Sequence, residues 1–207
     1  MTNIFQHNKP PLILASSSPT RAKLLNEVGL TFITESPGLD EGAMRQAVSG
    51  EKMLSPHDIA EVLARAKAEA VSDVAQNAYV IGADQVLALD DQIITKSANM
   101  EEARKVLLDL RGRAHQLHTA VALAKDGETI WSHTDISTLT MRQMSPEYIG
   151  HYLAAAGDQV LGSVGAYQVE GLGAQLFDKI EGSHFSVLGL PLLHLLAALR
   201  ENGVIES

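Results

Sequence analysis

The chain has 207 residues, a net charge of −9 and no cysteine, and 45% of its residues are hydrophobic. This length allows one sizeable core, the missing cysteines exclude disulfides and thiolate metal sites, and the acidic balance argues against a general nucleic-acid binder. The N-terminal residues lack the pattern of a signal peptide, and no apolar run approaches the ~18 residues that span a bilayer. We therefore expect a cytoplasmic protein that binds neither membranes nor polymeric nucleic acid.

The first half of the chain predicts alternating strands and helices. The apolar run Leu12–Ala15 predicts a buried strand, and Ser18 before Pro19 predicts the start of a helix that Gly29 ends. Further predicted elements are a strand at 31–34, a helix at 55–75, a strand at 79–81 that opens into a turn carrying Asp84, and strands at 86–89 and 93–94.

The second half predicts a helix at 101–110 and then a long hairpin formed by residues 115–124 and 128–142. A short helix starting at Pro146, a glycine-rich stretch at 157–173, a strand at 175–180 and an amphipathic last helix that ends near Gly203 follow. No internal repeat or linker interrupts this order. The prediction is one mixed α/β domain over residues 1–207, in which the hairpin could form a second lobe.

The segment from Ser16 to Arg21 is the first candidate for chemistry. A strand that ends in hydroxyl residues and enters a helix presents free backbone N–H groups to an anion. Arg21 lies in the first helical turn, where a cation opposes the helix dipole unless an anion is bound nearby. Taken alone, the segment is better explained by an ordinary N-cap, because caps are far commoner than anion sites.

Acidic residues and lysines supply the other candidates. Asp84, just past an apolar strand, could ligate a metal or activate water as a general base, although a turn aspartate explains it as well. Lys67 and Lys96 could neutralise phosphate charge, and Asp40 and Glu41 could hold a divalent metal. Each of these is also a common surface residue.

Three other signals do not support a function. His115 and His118 have the spacing of a zinc pair, but three residues apart on a strand their rings point to opposite faces. The Gly171-x-Gly173 sequence lacks the third glycine of a dinucleotide fingerprint, and neither a Walker A sequence nor a serine-hydrolase elbow occurs. A P-loop or a serine-hydrolase mechanism is therefore not indicated.

The same segments, in this order, resemble the Maf (septum formation) family of nucleoside triphosphate pyrophosphatases over nearly the whole chain. They are LILASSSPTRAKLL at 12–25, LDE at 39–41, LARAKAEA at 63–70, IGADQVLALD at 81–90, LRGRAHQLHTAVAL at 110–123, GAYQVEGLGAQLF at 165–177 and GSHFSVLGLPL at 182–192.

The resemblance implies an elongated α/β fold with a mixed central sheet, flanking helices and a cleft between two lobes. It implies hydrolysis of the α–β phosphate bond, with Mg²⁺ or Mn²⁺ as cofactor, a nucleoside triphosphate as substrate and a homodimer as a plausible assembly. The implied catalytic residues are Asp84, Glu41, Lys67 and Lys96, with Glu41 and Asp84 on the metal. The implied substrate-binding residues are Ser16, Ser18, Arg21 and Glu170.

Four positions depart from the family pattern. Thr20 stands where the family has the first arginine of a paired anion clamp, and Ser163 stands where many members have a lysine. Glu170 replaces a glutamine of the family pattern, and Ser97 replaces a proline. The Gly-Ala-Asp-Gln-Val sequence at 82–86 and the Val-Glu-Gly sequence at 169–171 resemble the branch acting on methylated guanine nucleotides more than the thymidine/uridine branch. A carboxylate at Glu170 could accept hydrogen bonds from a guanine edge. Thr20 and Ser163 leave open a non-catalytic nucleotide-binding protein linked to cell division. A phosphohydrolase acting on sugar nucleotides is a third alternative.

Overall fold

A seven-stranded mixed sheet forms the centre of the protein in the computed structural model, which describes residues 5–6, 10–39, 42–44, 54–90 and 92–206. The strand order is β2-β1-β3-β5-β6-β7, with β4 paired to the end of β3. The strands are β1 (Leu12–Ala15), β2 (Ile33–Glu35), β3 (Tyr79–Leu89), β4 (Gln92–Ile94), β5 (Ala114–Lys125), β6 (Glu128–Met141) and β7 (Phe177–Glu181).

The helices surround this sheet. They are α1 (Pro19–Glu27), α2 (Pro56–Ser72), α3 (Met100–Leu110), α4 (Pro146–Ala156), α5 (His184–Val187) and α6 (Leu192–Glu201), with short 3₁₀ turns at Gly157–Gly162 and Leu172–Leu176. Serine side chains cap α1, α2 and α4, as the Ser-Pro pairs predict. The mixed α/β class, the hairpin and the last helix are confirmed. Within the described residues, no helix has the length and apolar character needed to cross a membrane.

The strand carrying Asp84 differs from the prediction. The sequence predicted a turn at 82–84 between two short strands, whereas β3 runs without interruption through Gly82-Ala83-Asp84. The antiparallel neighbour β5 explains the difference, because its pairing with β3 continues from Tyr79 to Ala88 and holds residues of low strand propensity in the ladder.

The parallel neighbour of β3 stops much earlier than β5 does. Ala15, the last residue of β1, pairs with Gly82, and β3 then continues beyond the end of β1. Asp84 therefore lies just past the carboxyl end of β1, where open α/β sheets leave room for a ligand.

Hydrophobic residues are buried in three clusters that divide the sheet into two regions. Helices α1 and α6 cover one face of the β1–β3–β5 region, and α2 covers the other face. A third cluster lies around the opposite ends of β3 and β5, where α3, α4 and both 3₁₀ turns pack. The two lobes implied by the resemblance correspond to these two regions, and a cleft lies between them, whereas the β5–β6 hairpin belongs to the central sheet.

Candidate active site

A cleft of about 1150 Å³ opens beyond the carboxyl end of β1. Volumes of this order suffice for small-molecule ligands. One wall is formed by the β1–α1 loop and by residues of α2 and β3, and the other by residues 159–170 from the α4 side. The described lining residues include three cations (Arg21, Lys67 and Lys96) and two carboxylates (Asp84 and Glu170), in a chain whose net charge is −9.

The β1–α1 loop is held by its own serines. The Ser18 side chain accepts a hydrogen bond from the Arg21 amide (3.4 Å) and thereby caps α1. The buried Ser16 hydroxyl accepts from the Ser18 amide and from Arg21 Nη1, both at 3.2 Å. The Arg21 Nε donates to the Gly189 carbonyl at 2.8 Å, so the guanidinium is fixed at the cleft wall. The N-cap is confirmed, and the loop also faces the cleft as an anion site requires.

Lys67 and Asp84 form a buried ion pair at the cleft. The Lys67 Nζ lies 2.7 Å from Asp84 Oδ1, and both side chains are about 95% removed from solvent. Lys67 belongs to α2 and Asp84 to β3, so the pair joins a helix to the central sheet.

Gly82 allows this pair to form, because α2 lies directly on the β3 backbone at that residue. A Cβ atom at Gly82 would lie 2.2 Å from the Ala64 carbonyl oxygen and 2.6 Å from the Ala68 amide nitrogen. Any other residue would therefore push α2, and Lys67 with it, away from the strand.

Lys96 and Glu170 lie on the cleft as exposed side chains. Lys96 follows β4, and Glu170 lies within the glycine-rich stretch on the opposite wall. Thr20 and Ser163, two positions that depart from the family pattern, also line the cleft. Thus the cleft brings together seven of the eight candidate residues. The eighth, Glu41, and its neighbour Asp40 lie outside the described residues.

Sequence reasoning missed a buried pair that supports the opposite wall. His115 Nε2 lies 2.7 Å from the Tyr167 hydroxyl, and Tyr167 lines the cleft. Burial lowers the pKa of His115 to about 4, so the imidazole is neutral, and burial raises the pKa of Tyr167 far above its ordinary value. His118 instead contacts Gln116, so the two histidines have separate partners.

Sequence reasoning also missed Gln85 and the residues after α5. The Gln85 side-chain amide donates to Thr119 Oγ1 (2.9 Å) and to the Ser186 and Val187 carbonyls (3.0 and 3.3 Å). These bonds link β3 next to Asp84 with the segment that ends in Gly189, the partner of Arg21. The only available signal was the position of Gln85 beside Asp84, because contacts about 100 residues apart leave no local pattern.

The donors present fit a hard divalent cation. Mg²⁺ takes oxygen ligands and is commonly held by one or two carboxylates together with substrate phosphates and water. Among the described residues the cleft is lined by the Asp84 and Glu170 carboxylates and by the hydroxyl residues Ser16 and Thr95. A triphosphate would supply the remaining oxygens.

Comparison with known proteins identifies the family. The family model described as "Maf-like protein" matches residues 11–202. The chain belongs to the Maf-like protein family. A 7-methyl-GTP pyrophosphatase from Brucella abortus is 49% identical to this Maf-like chain over 196 residues, which cover 95% of this chain and 98% of that protein. The corresponding protein from Mesorhizobium japonicum is 48% identical, with the same coverage.

Other Maf-like relatives carry a more general name. A nucleoside triphosphate pyrophosphatase from Bradyrhizobium diazoefficiens is 49% identical over 197 residues, covering 95% of this chain and 96% of that protein. A solved structure titled nucleoside-triphosphatase / dITP/XTP pyrophosphatase, from Mycobacterium abscessus, covers 93% of this chain and 95% of its own, with a TM-score of 0.39 and 14% identity.

Proposed function

We propose that this Maf-like protein hydrolyses nucleoside triphosphates between the α and β phosphates, releasing a nucleoside monophosphate and pyrophosphate. The observation that carries the proposal is the buried Asp84–Lys67 pair, which lies on the same cleft as the Ser16–Arg21 loop and Lys96. The names of relatives that are almost half identical over their whole length point to the same reaction. Removal of unwanted nucleotides from the cellular pool is the role that such an activity serves.

In the proposed reaction, Asp84 orients a water molecule and accepts its proton as the water attacks the α-phosphorus. Lys67 holds the Asp84 carboxylate in position through their 2.7 Å contact. The β1–α1 loop binds phosphate oxygens with its hydroxyls and with the positive end of the α1 dipole. Arg21 and Lys96 stabilise the negative charge that develops on the leaving pyrophosphate.

Mg²⁺ or Mn²⁺, when bound, would supply neutralisation of the negative charge on the phosphate oxygens. We propose Asp84 and Glu41 as the carboxylates that hold it. A carboxylate that ligates a metal tightly is a poor base, so the two tasks of Asp84 compete and are separable by experiment.

We propose a 7-methylated guanine nucleotide as the preferred substrate. The Glu170 side chain is exposed on the cleft and can accept hydrogen bonds from the N–H donors on a guanine edge. Its negative charge also complements the positive charge that N7-methylation gives the base. The relatives named 7-methyl-GTP pyrophosphatase support this choice.

The test incubates the purified protein and Mg²⁺ or Mn²⁺ with 7-methyl-GTP, GTP, UTP and dTTP, and measures pyrophosphate and orthophosphate separately. We expect pyrophosphate from at least one nucleotide and a rate at least ~100-fold lower in Asp84→Asn. Asp178→Asn, which removes an exposed carboxylate on β7, serves as the matched control with unchanged rate. A higher Mg²⁺ requirement in Asp84→Asn would assign Asp84 to the metal.

Base selection is tested separately with Glu170→Gln. We expect the preference for 7-methyl-GTP over UTP, measured as the ratio of kcat/KM values, to fall by about tenfold because a charged hydrogen bond is lost. An unchanged ratio would remove Glu170 from base recognition.

Thr20 favours one competing function, a protein that binds nucleotides without hydrolysing them, because half of the family's anion clamp is missing. Nucleotide binding without pyrophosphate release from any substrate would replace the catalytic proposal with this one. We further propose a cytoplasmic location and a homodimer, to be tested by cell fractionation and by light scattering.

A further inference from the structure

A second group of ligating side chains lies outside the catalytic cleft. His133 and Asp135 lie two residues apart on β6 and so share one face of the strand, and His194 belongs to α6. Each residue offers one ligand atom, and the three atoms lie within 4.8 Å of one another. None of the three is among the described residues that line the cleft.

The spacing of these atoms matches a transition-metal site. His133 Nε2 lies 2.9 Å and His194 Nδ1 3.9 Å from the same oxygen, Asp135 Oδ1. These distances bracket the ~3.4 Å that separates two ligand atoms at bond lengths near 2.1 Å in a tetrahedral zinc site. Two imidazoles with one carboxylate favour Zn²⁺, Co²⁺, Ni²⁺ or Cu²⁺ over Mg²⁺ or Ca²⁺.

A neighbouring hydroxyl orients the carboxylate. The buried Ser186 Oγ donates a hydrogen bond to the second oxygen, Asp135 Oδ2, which leaves Oδ1 directed at the histidines. Hydrogen bonds of this kind from residues behind a ligand are a regular feature of metal sites. We infer that His133, Asp135 and His194 bind one divalent transition metal of the zinc class, at a site separate from the catalytic cleft.

Metal binding requires one ring to turn. The His133 and His194 rings are stacked, with centroids 3.7 Å apart and planes 22° from parallel. Stacked rings do not direct their in-plane lone pairs at one point, so one of them must rotate about its Cβ–Cγ bond. His194 is the ring with room to do so, because its side chain is 53% exposed.

The site connects to the cleft through Ser186. The Ser186 backbone carbonyl accepts hydrogen bonds from the side chains of Thr119 and Gln85, and Gln85 lines the cleft beside Asp84. A metal that joins β6 to α6 would therefore hold the α5 segment, whose following residues contribute to the cleft wall.

The first test measures Zn²⁺ binding to EDTA-treated protein by equilibrium dialysis without nucleotide. We expect about one equivalent of Zn²⁺ and an affinity at least ~10-fold weaker in His133→Ala, His194→Ala and Ser186→Ala. Asp84→Asn and His151→Ala, the latter removing an exposed histidine of α4, should bind as the wild type does. Loss of binding in Asp84→Asn together with full binding in His194→Ala would overturn the inference, because the zinc would then be in the cleft.

The second test uses the only tryptophan of the chain. The Trp131 ring is nearly parallel to the His133 ring, 6.2 Å away between centroids. Co²⁺ or Cu²⁺ bound at this site should quench the Trp131 fluorescence saturably, and Zn²⁺ should compete with the quenching. Thermal unfolding of each variant establishes that it is folded. Quenching that persists in His194→Ala, or that never saturates, would contradict the proposed site whatever the outcome of the activity assay.

Discussion

The Lys67 ammonium lies 2.7 Å from the Asp84 carboxylate, and the helix and strand that carry them touch at Gly82. The pair is buried, so neither charge is fully compensated without the other. We therefore expect both stability and activity to depend on this contact.

Replacing Lys67 by methionine should lower both stability and activity. Removing one partner leaves a buried carboxylate without its ammonium, which lowers the free energy of unfolding by about 3 kcal/mol. The rate of pyrophosphate release should fall at least ~100-fold, because Asp84 loses its orientation. Urea unfolding and the pyrophosphate assay measure the two effects. Lys105→Met is the control, because it breaks a Lys–Glu pair that is largely exposed on α3 and should change the unfolding free energy by less than ~1 kcal/mol.

Gly82→Ala should separate Lys67 from Asp84 without changing either residue. The added methyl group would overlap the α2 backbone at Ala64 and Ala68, so the helix must shift. We expect a loss of about 1–3 kcal/mol of stability and a reduced rate. Gly162→Ala provides the comparison for stability alone, since a Cβ there meets no atom within 4 Å but the residue lines the cleft. Equal stability of the two variants would show that α2 does not depend on the close approach.

Thr20→Arg should strengthen substrate binding. Thr20 lines the cleft in the first turn of α1, at the position where the family resemblance implies an arginine of an anion clamp. A second guanidinium beside Arg21 should lower KM or raise kcat/KM by about fivefold at low salt, and the gain should shrink as ionic strength rises. Ala154→Arg adds the same charge at an exposed position of α4 and should leave KM unchanged. A salt-independent gain, or none, would argue against an anion clamp in this loop.

His115 should make the protein less stable in mild acid. Burial lowers its pKa from an ordinary value of 6.5 to about 4. Between these two pH values His115 is therefore protonated in the unfolded chain and neutral in the folded protein. The contribution of the neutral His115 to the free energy of unfolding is fully present above pH 6.5. It is lost as the pH falls towards about 4, and the total loss is about 3 kcal/mol. His115→Gln should remove this part of the pH dependence in denaturant titrations. A slope identical to that of the wild type would assign the acid sensitivity to other groups.

Local patterns in the sequence were sufficient for much of the fold. Ser18 and Pro19 predicted the start of α1 correctly because a cap depends on residues within one turn. The hairpin of β5 and β6 followed from two periodic segments around Asp126-Gly127, both of which have positive φ as a tight turn requires. Helix α2 ends at Ser72, earlier than the expected 75.

Features that depend on distant residues could not be predicted in this way. The uninterrupted course of β3 through Asp84 depends on β5, whose pairing residues lie about 36 positions along the chain. The Arg21–Gly189 contact and the His133–His194 stack join residues far apart in sequence. Residue type and position made Asp84, Lys67 and Lys96 candidates, but only the resemblance implied their catalytic role, because lysines and acids of this kind show no local signal of their function.

The two walls of the cleft are anchored in different hydrophobic clusters, with Asp84 on the sheet side and residues 159–170 on the α3–α4 side. Mutations that reshape the second wall need not disturb the packing that supports the first. Evolution could therefore change the base that the enzyme prefers by altering residues 159–170, while the residues proposed for hydrolysis stay unchanged. A chimera carrying residues 157–176 of a relative with a different substrate would be a direct way to observe this evolutionary independence.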